Sequence, residues 1–302
     1  MRHLVTYRFI DEVSKVGSIR KAAETLNITP SALNRRIQAF EEELGAQVFE
    51  RLPRGVRLNT VGELLIHHIR SQISDLDRLK SRIADLEGVR RGHVSIACSQ
   101  ALLPYFLPRQ IAAYRRAHPA VTFSVLPRDR AAAEQELTSY RCDLALVFEP
   151  VRLAEFQALA VVRQAVHAVM APTHPLAGRE TLRLRDVQRY PLCLPTVPYG
   201  VRQLLEQAAA RRGETLTPTL ESDSFEFLRH YAANEAVLAF QIPIGLQPPV
   251  HAGDLVSAPV DARDVPAGVL LLGQLRHRAL PVASARFADQ LVTELQRSFD
   301  VA

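Results

Sequence analysis

The sequence predicts an α/β protein whose N-terminal part is helical, because three patterns follow one another along its 302 residues. Residues 1–59 are dense in short helix signals and end in a hairpin-like stretch. Residues 60–87 form one uninterrupted amphipathic pattern of helical period. From His93 onward, continuous apolar runs alternate with helix-period segments, which is typical of parallel sheets covered by helices on both faces. The length suffices for two or three compact units of ~100–150 residues each.

The composition excludes several classes of protein. Hydrophobic residues make up 47% and charged residues 23%, and no apolar run approaches the ~20 residues that a membrane helix needs. Because Asp11 and Glu12 stand where a secretory signal is apolar, we expect a cytoplasmic protein without a membrane partner. The three cysteines lie far apart, so we expect buried reduced thiols and no metal or cofactor. Residues 1–91 hold 16 basic and 12 acidic residues, which indicates an anionic partner for this part.

Residues 17–45 contain two helix patterns joined by a tight turn. Ser18 suits the N-cap of the first helix, and Asn27 tolerates a left-handed turn. Thr29 suits the N-cap of the second helix, with Pro30 at its first position. The apolar stripe of the second helix is Leu33, Ile37, Phe40 and Leu44. Two helices joined in this way form a helix-turn-helix, whose second helix reads a DNA major groove. An ordinary helical hairpin with a solvated polar face is the alternative.

Residues 48–59 predict a wing beside this helix, because two short strand patterns flank a turn at Pro53 and Gly55. Arginines in a wing contact phosphates or the minor groove, and short polar side chains of a recognition helix reach base edges. The candidate DNA contacts are Ser31, Asn34, Arg35, Gln38, Arg51, Arg54 and Arg57. For the arginines, solvated surface positions are the alternative.

The order of these features carries a resemblance to a known family. A Gly-Ser entry, a paired alanine, "EEELG" at the end of the second helix and "FER" before the wing follow one another. The segment resembles the DNA-binding domain of the LysR-type transcriptional regulators. The matching residues are Gly17, Ser18, Ala22, Ala23, Leu26, Ser31, Ala32, Leu33, Ile37, Glu42, Leu44, Gly45, Phe49, Arg51, Arg54, Leu58, Thr60 and Gly62. The resemblance implies double-stranded DNA and RNA polymerase as partners. Pro30 departs from the family pattern, because it has no side-chain amide to read a base.

Residues 60–88 are expected to form a linker helix that follows a DNA-binding domain over residues 1–59. Thr60 and Glu63 have the spacing of a capping box. Apolar residues recur with heptad spacing, and the resemblance implies that two such helices pair in a homodimer or homotetramer. The candidate dimerisation residues are Leu65, Ile69, Leu76, Leu79 and Ile83. Packing of the helix on its own domain is the alternative.

Residues 89–302 resemble the regulatory region of the same family, through fragments such as "HPLA" at 174–177. The resemblance implies two α/β subdomains like those of periplasmic solute-binding proteins. The first is expected over about 93–164 and 269–302, and the second over about 165–268. Strands are expected at 94–98, 122–126, 143–148, 167–171, 192–195, 236–240 and 269–273. Helices are expected at 102–117, 131–141, 201–212, 224–233 and 283–298.

In such a fold a ligand lies beyond the carboxyl ends of the strands, where helix N-termini offer backbone donors to an anion. Ser99 and Gln100 follow the first strand, Thr196 follows the strand at 192–195, and Ser222 precedes a helix. These four residues are the candidate effector contacts, although each equally suits a simple helix cap. We expect a small-molecule effector that is a carboxylate or another small anion.

Together the patterns predict a DNA-binding transcriptional regulator whose activity changes when an effector binds between the two subdomains. An enzyme on this scaffold would need a catalytic motif, and the sequence contains no Gly-x-Ser-x-Gly elbow, phosphate loop or His-Glu-x-x-His. A solute-binding module without gene control would account for residues 93–302 and leave residues 17–62 unexplained.

Overall fold

The computed structural model describes residues 2–86, 91–151, 155–246 and 254–299. The chain divides into two compact units, residues 1–87 and 88–302. The expected boundary at 88 and 89, between the linker helix and the regulatory region, lies outside the described residues. Within the described part, no helix is long and apolar enough to cross a membrane.

The first unit is helical with one hairpin. Its elements are α1 Arg2–Val16, α2 Ile19–Thr25, α3 Pro30–Leu44, β1 Phe49–Leu52, β2 Gly55–Leu58 and α4 Thr60–Leu86. The helices enclose an apolar core that includes Ile10, Ala22, Leu33 and Ile66. β1 and β2 pair antiparallel from Phe49↔Leu58 to Leu52↔Gly55, which makes the predicted wing.

The turn between α2 and α3 has the geometry that its residues predict. The Ser18 hydroxyl accepts a hydrogen bond from the Lys21 amide, and the Thr29 hydroxyl accepts one from the Ala32 amide. Asn27 adopts the left-handed conformation with a φ of 54°. The prediction that Leu44 joins the apolar stripe was wrong, because the chain turns toward β1 at Gly45 and leaves Leu44 43% exposed.

The long helix α4 has a different cap from the predicted one. The Asn59 side-chain oxygen accepts a hydrogen bond from the Gly62 amide at 2.9 Å, so Asn59 rather than Thr60 caps the helix. Asn59 is held in place because its side-chain amide donates to the Gln47 carbonyl at 2.9 Å. At Gly62, an added Cβ would lie 2.2 Å from the Val48 carbonyl oxygen. The first turn of α4 therefore packs closely against Val48, the residue before β1.

The first half of α4 packs against its own unit. Ile69 is fully buried in the core that also contains Ile66, and Leu65 packs against the edge of that core. Arg70 donates to Asp11 of α1 at 2.7 Å, which ties the two helices together. The expectation that Ile69 lies in a dimer seam is therefore corrected, because this side chain is an internal core residue.

The second unit contains two groups of strands with surrounding helices. Its elements up to the first crossover are β3 Gly92–Cys98, α5 Phe106–Ala117, β4 Val121–Pro127, α6 Arg130–Thr138, β5 Leu144–Phe148 and β6 Phe156–Gln164. The following elements are β7 His167–Met170, α7 Leu184–Val187, β8 Cys193–Pro195, α8 Gly200–Ala210, β9 Leu220–Ser222, α9 Phe225–Asn234, β10 Ala239–Gln241, β11 Val256–Pro259, β12 Gly268–Leu275 and α10 Val282–Ser298. Short 3₁₀ turns lie at Gln100–Leu102 and Pro243–Gly245.

The described strands form mixed sheets, so the prediction of parallel sheets was wrong in part. One sheet has the order β4-β3-β5-β12-β6, in which β3, β4 and β5 are parallel and β12 is antiparallel to β5 and β6. In a second group, β7 pairs antiparallel with β10 and β11, while β8 and β9 pair in parallel. A continuous apolar run shows that both faces of a strand are buried, but it does not encode the direction of the strand.

Several boundaries also differ from the sequence predictions. The strand expected at 236–240 begins only at Ala239. β9 and β11 were not predicted because polar residues interrupt their short apolar pattern, and β6 was not predicted although residues 158–162 are a continuous apolar run. The expected helix at 102–117 begins only at Phe106. Pro104 has no amide hydrogen to continue the 3₁₀ turn into a helix, and Tyr105 leaves the helical region with a φ of −133°.

Candidate nucleic-acid interface and ligand cleft

The outer face of α3 carries the residues predicted to read DNA. Arg35 and Gln38 are exposed and Asn34 is half-buried. The Ser31 hydroxyl lies 3.2 Å from the Thr29 hydroxyl, so it belongs to the N-terminal cap of α3 as well as to its surface. Arg36, which sequence reasoning did not select, is exposed beside Arg35. The sequence feature that could have identified Arg36 is its position beside Arg35, outside the apolar stripe of α3.

The three wing arginines differ in their surroundings. All of them are exposed, and Arg54 lies in the turn between β1 and β2. The Arg57 guanidinium donates to the Glu50 carboxylate, which lies directly opposite it in the hairpin. Because this ion pair neutralises its charge, Arg57 is less suited than Arg54 to a DNA phosphate.

A groove of about 720 Å³ separates α3 from β1. Asn34 and Gln38 line its helical side, and Arg51 lines its wing side. The glutamates that also line it are Glu41, Glu42 and Glu50. The structure thus brings the predicted base-reading amides and a wing arginine around one groove, which carboxylates also line.

The second unit places Ser99 and Gln100 directly after β3, at the carboxyl end of the sheet. Ser99 is 8% exposed, and its amide donates to the Leu146 carbonyl of β5 at 3.1 Å. Within the described residues, its hydroxyl does not cap the 3₁₀ turn that follows. The Gln100 side-chain amide donates to the Tyr199 hydroxyl at 3.1 Å. Tyr199 immediately precedes α8, so this bond joins the two groups of strands.

Thr196 and Ser222 lie together at the end of the β8–β9 pair. The Thr196 amide donates to the Ser222 carbonyl at 3.2 Å, and the Ser222 hydroxyl accepts from the Ser224 amide at 3.1 Å. Ser224 in turn caps α9 by accepting from the Phe227 amide. The Ser222 oxygen therefore has a local structural role at the start of α9.

Tyr199, the hydrogen-bond partner of Gln100, is a residue that sequence reasoning missed. Burial raises the pKa of its hydroxyl; the hydrogen bond from Gln100 opposes this, and the nearby charges of Asp223 and Asp129 add to it. Its ring packs edge to face against Phe225 at 5.2 Å. The next residue, Gly200, approaches β5 so closely that an added Cβ would lie 2.8 Å from the Phe148 carbonyl oxygen. The only sequence signal was a tyrosine just before the predicted helix.

A second contact joins the same two parts. The Arg229 guanidinium on α9 donates to the Tyr105 hydroxyl and also lies over the Tyr105 ring, 5.3 Å from its centroid. Arg229 further donates to Glu226 at 3.0 Å. Two polar bridges, Gln100–Tyr199 and Tyr105–Arg229, therefore connect the segment after β3 with α8 and α9.

The cysteines have the properties that the sequence predicted. Cys98, Cys142 and Cys193 are free and buried. Burial raises the pKa of the Cys98 and Cys142 thiols to about 12 and that of Cys193 to about 11. At neutral pH all three are thiols rather than reactive thiolates.

Both halves of the chain match known family models. Residues 4–63 match the bacterial regulatory helix-turn-helix protein, lysR family, and residues 87–296 match the LysR substrate binding domain. The SDS degradation transcriptional activation protein of Pseudomonas sp. (strain ATCC 19151) is 29% identical, across 100% of this chain and 93% of that protein. The RuBisCO operon transcriptional regulator of Allochromatium vinosum is 28% identical, across 76% of this chain and 74% of that protein.

Solved structures share the fold. A full-length OxyR variant from Pseudomonas aeruginosa superimposes with a TM-score of 0.72 at 19% identity, covering 99% of this chain and 96% of that one. CbnR in complex with its target DNA gives a TM-score of 0.63 at 17% identity, covering 98% of this chain and 99% of that one.

Proposed function

The chain belongs to the LysR family of DNA-binding transcriptional regulators, and we propose that α3 and the β1–β2 wing form its DNA contact surface. The observation that carries this assignment is the shared groove, with Asn34 and Gln38 on one side and Arg51 on the other. Amide side chains bind base edges in pairs of hydrogen bonds, while arginines neutralise phosphates. The Pro30 side chain has no group that can hydrogen-bond to a base. We therefore assign the base contacts to Asn34, Arg35 and Gln38.

The unequal surroundings of the wing arginines lead to a prediction. Arg54→Ala is expected to reduce the slope of log affinity against log salt concentration by about 0.9, the value for one lost phosphate contact. Arg57→Ala is expected to reduce it by less, because Arg57 is already paired with Glu50. The measurement is fluorescence anisotropy at several salt concentrations, with a duplex that the wild-type chain selects from a random pool.

Gln38→Ala is the matched control for this prediction. It should weaken binding to the selected duplex by about 1–3 kcal/mol and leave the salt slope unchanged, because an amide reads bases and displaces no counterion. An unchanged salt slope in Arg54→Ala would show that the wing does not contact phosphates.

We further propose that the effector binds between the segment after β3 and the segments that precede α8 and α9. Ser99, Gln100, Thr196 and Ser222 supply hydroxyl and amide groups there, and Tyr199 adds a buried phenol. The effector is proposed to carry a carboxylate or another small anion, which the hydroxyl and backbone donors favour. Its binding favours the arrangement to which it binds more tightly, and this differential affinity is coupled to DNA binding.

The charge of the effector gives this proposal a sharp test. A thermal shift screen would compare each small carboxylic acid with the corresponding primary amide. A ligand at a concentration of 100 times its Kd stabilises the unit by about 2.7 kcal/mol, which is readily detected. We expect acids to bind, and Ser99→Ala and Thr196→Ala to abolish the shift, while Ser298→Ala, at the exposed end of α10, retains it. Tighter binding of amides, which the charges of Asp129 and Asp223 near Tyr199 favour, would overturn the anionic assignment.

The remaining properties are proposed from the family. The protein is proposed to be a cytoplasmic homodimer or homotetramer that contacts RNA polymerase. It is also proposed to have no catalytic activity, metal or cofactor. Leu79 and Ile83 of α4 are 54% and 47% exposed, and Leu76 is half-buried, which supports pairing through the second half of this helix.

A further inference from the structure

Glu41 of α3 holds the start of the wing. One of its carboxylate oxygens accepts hydrogen bonds from the Val48 amide at 2.7 Å and from the Phe49 amide at 3.2 Å. Both bonds are charge-assisted, and such bonds are roughly twice as strong as neutral ones. A single side chain of the recognition helix therefore captures two consecutive backbone donors at the beginning of β1.

A second contact holds the other wing strand. The Val56 amide donates to the Gly17 carbonyl, in the turn before α2, at 3.0 Å. Gly55 has a φ of 120°, and an added Cβ would lie 2.3 Å from the same carbonyl oxygen. β1 is thus attached to α3 through Glu41, and β2 is attached to the α1–α2 turn through its backbone.

The groove between α3 and β1 explains why the Glu41 bonds matter. Ile37 of α3 and Val48 and Phe49 at the start of the wing belong to one apolar core. The groove of about 720 Å³ beside them is open, so packing does not fill the space between α3 and β1 on that side. A carboxylate beside DNA also repels phosphates, so the charge of Glu41 is unfavourable for binding in its own right. If Glu41 strengthens DNA binding, it must therefore do so by holding the wing in position and not through its charge.

We propose that Glu41 is a positioning residue for DNA recognition. It fixes the distance between α3 and the wing, so that Arg51 and Arg54 reach phosphates while Asn34 and Gln38 read bases. The proposal rests on the DNA contact surface assigned above, and it adds a role for a residue that itself makes no DNA contact.

The first test compares three single variants by the same anisotropy titration. Glu41→Ala is expected to weaken binding about tenfold and to lower the salt slope by about 1.8, the value for two lost phosphate contacts. Glu41→Gln keeps an acceptor oxygen and should restore the slope. Glu42→Ala removes an equal charge from the same groove and should leave binding unchanged or slightly tighter. Tighter binding by Glu41→Ala would overturn the proposal, since only the charge would then matter.

The second test is a double-mutant cycle with Arg54→Ala. In the wild-type background this substitution should weaken binding severalfold, and in the Glu41→Ala background it should have almost no effect, because the wing is already displaced. Additive losses would refute the positioning role. If Arg54→Ala has no effect in the wild-type background, the wing assignment fails as well, and the two failures are thereby distinguished.

Footprinting separates positioning from general loss of structure. Glu41→Ala should lose hydroxyl-radical protection in the minor groove and keep protection of guanine N7 in the major groove, where α3 binds. Gly55→Ala displaces the wing from its other attachment and should give the same footprint. If both protections disappear together in Gly55→Ala and in a folded Glu41→Ala variant, Glu41 supports the whole domain and the proposal is wrong.

Discussion

Arg278→Met is expected to lower the free energy of unfolding of the second unit by about 3–5 kcal/mol, because it leaves the Asp143 carboxylate buried without its cation. The two side chains are 8% and 9% exposed, and Arg278 donates to Asp143 at 2.7 Å. Arg278 also donates to the Cys142 carbonyl at 2.6 Å. The other Asp143 oxygen accepts from the hydroxyls of Ser95 and Ser284. The pair therefore joins β3, the start of β5, the end of β12 and α10.

The measurement is hydrogen exchange of the β3 and β5 amides, which reports opening of this unit alone. Arg263→Met is the matched control, because Arg263 is 75% exposed in its pair with Asp261 and its loss should cost less than about 1 kcal/mol. The double variant Asp143→Asn/Arg278→Met should be more stable than Arg278→Met, since it removes the unpaired charge. Equal losses in Arg278→Met and Arg263→Met would contradict the role assigned to the buried pair.

The parts of the fold that depend on neighbouring residues could be predicted from the sequence. The Ser18 and Thr29 caps involve amides three residues away, and the left-handed Asn27 follows from its own side chain. The chain leaves the first sheet after β6 and returns to it only at β12. The direction of β12 therefore depends on the path of the intervening residues. No local pattern carries that information, so the sheet was expected to be parallel and is mixed.

In the candidate sites, too, features that depend on neighbouring residues could be predicted and those that depend on distant residues could not. Ser99 and Thr196 were selected because each follows a strand, which is a local rule. The bond between Gln100 and Tyr199 joins residues 99 positions apart, so Tyr199 was missed. Glu41 was overlooked for a different reason. Its bonds to Val48 and Phe49 depend on the left-handed turn at Gly45, which returns β1 to the helix.

Ile69→Ala and Ile83→Asp are expected to affect different properties, because the first half of α4 packs in its own unit and the second half is proposed to form the dimer contact. Ile69 is fully buried in the core of the first unit, so its truncation should lower the free energy of unfolding by about 2–5 kcal/mol without changing the oligomeric state. Ile83 is 47% exposed on the second half of the helix, so a carboxylate there should break the proposed dimer and leave the fold of the unit intact.

Chemical denaturation and sedimentation velocity measure the two effects on the same samples. Asp75→Ala, at an exposed position of the same helix, serves as the control that alters charge without removing an apolar contact. A heptad seam along the whole helix would instead make Ile69→Ala reduce the dimer as strongly as Ile83→Asp. The core position of Ile69 argues against that outcome, because a side chain already enclosed in the core of its own unit cannot also be buried by a partner. Dimerisation is therefore expected to begin near Leu76, beyond Ile73, which still packs against the apolar core of its own unit.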